Sequence, residues 1–178
     1  MEVTTYTCYI EQEGTVDLPV KKLVHTDDVG RIAEALGYTR FAEETLGMLC
    51  VNHQNEVTAY HELAKGTVCS AETQIINIIK RAALSNTDLI VLFHNHPMGS
   101  PKPSKADMKS FEDIRQACLI VGIVVMDEVV IAGDGRTDHT DFSEIAKSIT
   151  MAIKEKEERE AEKSKAEEKD GSVDQKRK

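Results

Sequence analysis

The run Asp88-Leu89-Ile90-Val91-Leu92-Phe93 is apolar after its first residue and gives way at once to His94-Asn95-His96-Pro97-Met98-Gly99-Ser100-Pro101-Lys102-Pro103-Ser104. A short continuous apolar run that ends in such a loop reads as a central strand covered on both faces. An amphipathic helical pattern begins at Lys105. Strand, rigid loop and helix N-terminus together predict an α/β chain, a mixed sheet flanked by helices.

Successive strand side chains alternate faces, so His94 and His96 share one side of the strand end and can face one metal. Asp107 precedes Phe111, Ile114 and Cys118 at helical spacing, which puts its carboxylate on the stripe of the helix's buried face. An inward carboxylate without a partner is costly. A divalent cation held by His94, His96 and Asp107 satisfies it, and the open fourth position of such a set belongs to catalytic rather than structural zinc. Three of the four prolines, Pro97, Pro101 and Pro103, lie between these residues and stiffen the loop. The same letters have plainer readings. Ser104-x-x-Asp107 ahead of an apolar periodic run is a capping box, and a His-x-His pair at a strand end is often only surface or packing. Ser104 can cap the helix and serve the site as well.

His94-x-His96, then Ser104-x-x-Asp107 after the proline loop, resembles the metal-binding signature of the JAMM metallopeptidases. The fuller string through Pro97, Gly99, Pro101 and Pro103 resembles their RadC-like branch, over about Thr26 to Phe142. The resemblance implies a JAMM/MPN-like, cytidine-deaminase-like fold and one Zn2+ per chain on His94, His96 and Asp107. It also implies that Ser104 steadies the reaction intermediate and that an upstream glutamate is the general acid/base. Glu43, Glu44, Glu56 and Glu62 compete for that role on sequence alone, and the resemblance selects Glu44, at the opening of a strand. Where relatives carry Asp-His, this chain has Asp127-Glu128, and neither is assigned a role. Nothing in the chain resembles the helix-hairpin-helix region of the full RadC architecture.

Around this centre, Val29, Ile32, Ala33 and Leu36 predict a short helix that Gly37 ends. Glu44–Val51 and Glu56–Leu63 flank Asn52-His53-Gln54-Asn55 as a hairpin. Ile75, Ile78, Ile79, Ala82 and Ala83 mark a helix over Ala71–Leu84. The Lys105 helix runs to about Val121, where Gly122 stops it. Ile123–Met126 and Val129–Ile131 form one kinked strand or two short ones around Asp127-Glu128. His53 in the turn reads as solvated, His61 lacks a partner at ligand spacing, and His139 reads as exposed.

The expected organisation is an N-terminal strand extension in 1–25 (Thr4–Gln12 with Tyr6, Cys8 and Ile10 on one face) and the RadC-like domain in 26–141. A charged C-terminal helix in 142–170 and a disordered tail in 171–178 follow. Residues 142–178 hold ten basic and ten acidic residues, so the whole net charge of -9 sits on the body. An acidic body repels phosphate, which makes nucleic acid a poor direct ligand. Cys8, Cys50, Cys69 and Cys118 form no Cys-x-x-Cys pair and read as buried free thiols. The start of the chain lacks the basic and apolar parts of a signal peptide, and no stretch approaches the ~20 apolar residues of a membrane span. These features predict a soluble, cytoplasmic protein.

The function expected is zinc-dependent amide hydrolysis on a peptide or protein-conjugate substrate, with a protein partner possible at the C-terminal helix. Two rivals stand beside it. One is a catalytically silent metal-bound scaffold, and the other is a DNA-repair or antirestriction role, as the RadC label suggests. A zinc deaminase shares the layered sheet, but its paired cysteines and His-x-Glu are missing.

Overall fold

The computed structural model describes residues 13–66 and 71–139, with only the backbone for 71–74. The expected N-terminal strand over Thr4–Gln12, the helix of 142–170 and the tail all lie outside the described residues, as do Cys8 and Cys69. In chain order the elements are α1 (Thr26–Ala35), a 3-10 turn (Tyr38–Arg40), β1 (Thr45–Val51), β2 (Val57–Lys65), α2 (Ala71–Leu84), β3 (Leu89–His96), α3 (Lys105–Ile120), β4 (Val124–Ala132) and β5 (Thr137–His139).

The five strands form one mixed sheet in the order β2-β1-β3-β4-β5. β1 is antiparallel to both β2 and β3, β4 is antiparallel to β5, and only β3 and β4 run parallel. A parallel pair needs a crossover, and α3 supplies it. Cores form on both faces. On one, Val29, Ile32 and Ala33 of α1 pack with Leu49, Val91, Phe93, Val129 and Ile131. On the other, Ile78 and Ala82 of α2 and Phe111, Ile114 and Cys118 of α3 pack with Met48, Cys50, Ile90, Leu92 and Val125. β3 is buried from Leu89 through Asn95, which explains why its sequence is apolar without alternation. Cys50 and Cys118 are buried free thiols, as expected.

β4 is one strand rather than two. Its register against β3 slips between Ile90 and Val91, whose partners are Val125 and Asp127, so Met126 is an extra residue. Such a bulge reverses the alternation of everything after it. Val129 and Ile131 thereby reach the α1 core, and Glu128 turns to the face carrying His94. His139 differs from its expected exposure. It is half-buried on β5, with its Nδ1 3.7 Å from Asp127 Oδ2 on the α1 side of the sheet.

Candidate metal centre

β3 ends on His94 and His96 with Asn95 between them. Asn95 points away from the histidines and is fully buried. Its Oδ1 accepts from the Thr45 amide at 2.7 Å, and its Nδ2 donates to the carbonyls of Glu43 at 3.2 Å and Phe41 at 3.4 Å. One side chain therefore ties the segment entering β1 to the end of β3. Leu46 pairs with His94 across β1 and β3. Glu44, two residues earlier, lies just ahead of β1, which begins at Thr45. Glu44 is exposed, and its charge bears on His94.

α3 brings the third group. Ser104 is its N-cap, and Ser104 Oγ accepts from the Asp107 amide at 3.1 Å. Asp107 Oδ2 accepts from the Ser104 amide at 2.7 Å, which closes the capping box. The box orients the carboxylate toward the strand end. Asp107 Oδ1 stands 3.8 Å from His94 Nε2, and Asp107 Oδ2 stands 3.4 Å from His96 Nε2. The two Nε2 atoms are 3.1 Å apart.

The other nitrogen of each ring decides what Nε2 can do. His96 Nδ1 lies 2.8 Å from the carbonyl oxygen of Ser100. A carbonyl only accepts, so Nδ1 carries the proton and Nε2 presents a lone pair when the ring is neutral. His94 Nδ1 lies 3.1 Å from Glu128 Oε1, and an ionised carboxylate imposes the same tautomer. Two lone pairs and a carboxylate oxygen thus converge, all within 4.8 Å of one another. Ligands held tetrahedrally at about 2.0–2.1 Å from zinc are about 3.3 Å apart. The 3.1 Å between the imidazole nitrogens is close to that value, and each Asp107 oxygen stands nearest a different ring, Oδ1 by His94 and Oδ2 by His96, so His94, His96 and Asp107 can close on one metal ion.

Burial raises the Asp107 carboxyl, but the Ser104 hydrogen bonds and the facing imidazoles outweigh it and hold the group below the usual carboxylate range. For His94, burial favours the neutral ring, whereas the hydrogen bond and charge of Glu128, then Asp107 and Glu44, pull its pKa above the ordinary value. Surrounding carboxylates therefore make this corner of the sheet attractive to positive charge.

The family model for the RadC-like JAB domain matches residues 23–144. The chain belongs to this family. Its curated relatives carry the name UPF0758 protein. The one from Stenotrophomonas maltophilia strain K279a is 32% identical over 121 residues, 65% of this chain and 51% of its own length. The one from Cellvibrio japonicus is 35% identical over 94 residues, 53% of this chain and 42% of its own. A third, from Xanthomonas campestris pv. campestris strain 8004, is 38% identical over 93 residues, 52% of this chain and 41% of its own. The chain thus spans about half the length of the curated relatives it matches. In this RadC-like JAB domain the structure brings together His94, His96 and Asp107, with Ser104 as the helix cap and Glu44 just ahead of β1, where its charge acts on His94. His53 is exposed and stands 3.3 Å from Asp88. His61 bonds Ser85 at 2.8 Å. Neither belongs to the cluster.

Sequence reasoning passed over two positioning residues, Glu128 and Asn95. An acidic pair inside an otherwise apolar strand was the available signal for Glu128, because carboxylates are rarely buried unless paired. Among the described residues, no helix is long and apolar enough to cross a membrane.

Proposed function

We propose that this RadC-like JAB domain is a zinc-dependent hydrolase that cleaves an amide bond, peptide or isopeptide, in a protein substrate. What carries the reading is the convergence of two imidazole lone pairs and one carboxylate at a strand end, beside a glutamate whose charge bears on His94. When bound, zinc supplies Lewis acidity and brings the pKa of a water down to about 7. His94, His96 and Asp107 would hold the ion.

Glu44 takes the proton of the attacking water and returns it to the leaving nitrogen. Its exposure suits a group that must meet both water and substrate. Ser104 uses an oxygen lone pair for the helix cap and its hydroxyl also bonds the Asp107 carboxylate, so that hydroxyl donates to the developing oxyanion by rotating away from Asp107. Asn95 holds the segment that presents Glu44 against the strand that presents the histidines.

The test is Glu44→Gln on a panel of cellular peptides and protein conjugates, with zinc content measured in parallel. The variant should retain its zinc and lose turnover by at least two orders of magnitude, the upper range of general acid-base contributions. Unaltered turnover would transfer the role to another glutamate, and a wild-type protein that loads zinc yet cleaves nothing would leave a metal-bound scaffold.

A further inference from the structure

Glu128 is buried, with its side chain 7% exposed, and only one of its carboxylate oxygens is engaged. Oε1 faces His94 Nδ1 at 3.1 Å, while Oε2 is buried and has no hydrogen-bond partner among the described residues. A carboxylate removed from water costs several kcal/mol unless its charge is compensated. One contact with a single imidazole leaves half of this carboxylate uncompensated. If His94 needed only an acceptor to hold its ring, a neutral amide or a main-chain carbonyl would suffice, as Ser100 suffices for His96.

The backbone is shaped to deliver this side chain. The extra residue at Met126 turns Glu128 to the His94 face, where unbroken alternation after Val125 would have pointed it to the α1 side. A bulge and a half-satisfied buried charge serve one contact.

We infer that Glu128 is a positioning residue that fixes His94 with Nδ1 protonated and, through its negative charge, strengthens the hold of His94 Nε2 on the metal. This rests on the metal reading above. A carboxylate behind a ligating imidazole sets the tautomer and raises ligand basicity, and loss of such a partner typically costs about 10–100-fold in metal affinity. The two histidines are therefore unequal. His94, backed by a charge, is the stronger donor, and His96, backed by a neutral carbonyl, is the weaker.

The experiment compares wild type and Glu128→Gln by zinc titration against a chromogenic chelator, with thermal melts of metal-free and zinc-loaded protein. Glutamine keeps the shape and an acceptor for Nδ1 while removing the charge. Glu128→Gln should bind zinc about 10–100-fold more weakly. An unchanged zinc affinity in Glu128→Gln overturns the inference, and so does a loss of metal-free stability with affinity unchanged, which marks a purely structural role. A wild type that takes up no zinc overturns the metal reading and this inference with it. Nitrogen NMR of the zinc-loaded wild type gives a reading that needs no variant. His94 should be protonated on Nδ1, and coordination through Nδ1 would contradict the assignment.

Discussion

His94 Nε2 and His96 Nε2 lie 3.1 Å apart while the Nδ1 of each ring donates elsewhere, to Glu128 and to the Ser100 carbonyl. Two neutral rings in these tautomers aim lone pairs at each other, which is unfavourable until a proton or a metal ion sits between them. Metal removal should therefore lower the melting temperature reversibly. At a free zinc concentration a hundred times the dissociation constant, the gain in stability should be about 2.7 kcal/mol. Calorimetry on chelated and reconstituted protein measures it.

Ser104 carries two tasks on one oxygen. Ser104→Ala removes the cap of α3 and should cost about 1 kcal/mol in a urea melt of the metal-free protein. If the hydroxyl also donates to the intermediate, turnover should fall by about 10²-fold or more, well beyond what lost stability explains. A stability loss with turnover intact would reduce Ser104 to a cap.

Asn95 has a comparable double position, but away from the metal. Asn95→Ala orphans the Thr45 amide and frees the segment before β1. The expected cost is about 1–3 kcal/mol. Zinc affinity should survive while turnover drops, because Glu44 loses its mounting and His94 does not. Parallel zinc titration and peptidase assays separate the two effects.

On the opposite face, burial pushes the Asp127 carboxyl up to about 7 against the pull of His139, with Glu128 adding to the rise. A carboxyl whose folded pKa lies above the unfolded value of about 3.9 holds more protons when folded. Its stabilising contribution is full below about pH 4 and declines as the pH rises toward about 7, above which it is gone. Asp127→Asn should therefore be more stable than wild type at pH 8, and the difference should shrink at acid pH. Denaturant melts across that range decide it.

Gly47 lies in β1 under the aromatic cluster of Tyr38, Phe93 and Tyr60, with Tyr38 and Phe93 rings 4.6 Å apart. A Cβ at Gly47 would come within 2.5 Å of both Phe93 Cζ and Tyr38 Oη. Gly47→Ala should cost at least about 1–3 kcal/mol by overpacking, measured as a fall in denaturation midpoint.

Local signals carried much of this into the sequence. The apolar run Leu89–Phe93 and the stripe Phe111, Ile114, Cys118 named their elements because period and burial agree there. Gly122, with φ +81, ends α3 where a side chain would be strained. The geometry of His94, His96 and Asp107 was legible because all three lie on one strand–loop–helix unit whose spacing is short. Glu128 was not, since a single bulged residue at Met126 reverses the alternation by which a face is read. Asn95 was hidden for another reason. Its partner Thr45 is fifty residues distant in sequence, so nothing local marks the contact.

The most direct test is calorimetric titration of zinc into metal-free wild-type protein and into the triple variant His94→Ala, His96→Ala, Asp107→Ala. One ion per chain should bind to wild type, and the triple variant should bind none at that site. Uptake that persists in the triple variant, or a wild type that binds no zinc, would contradict a metal centre on β3 and α3.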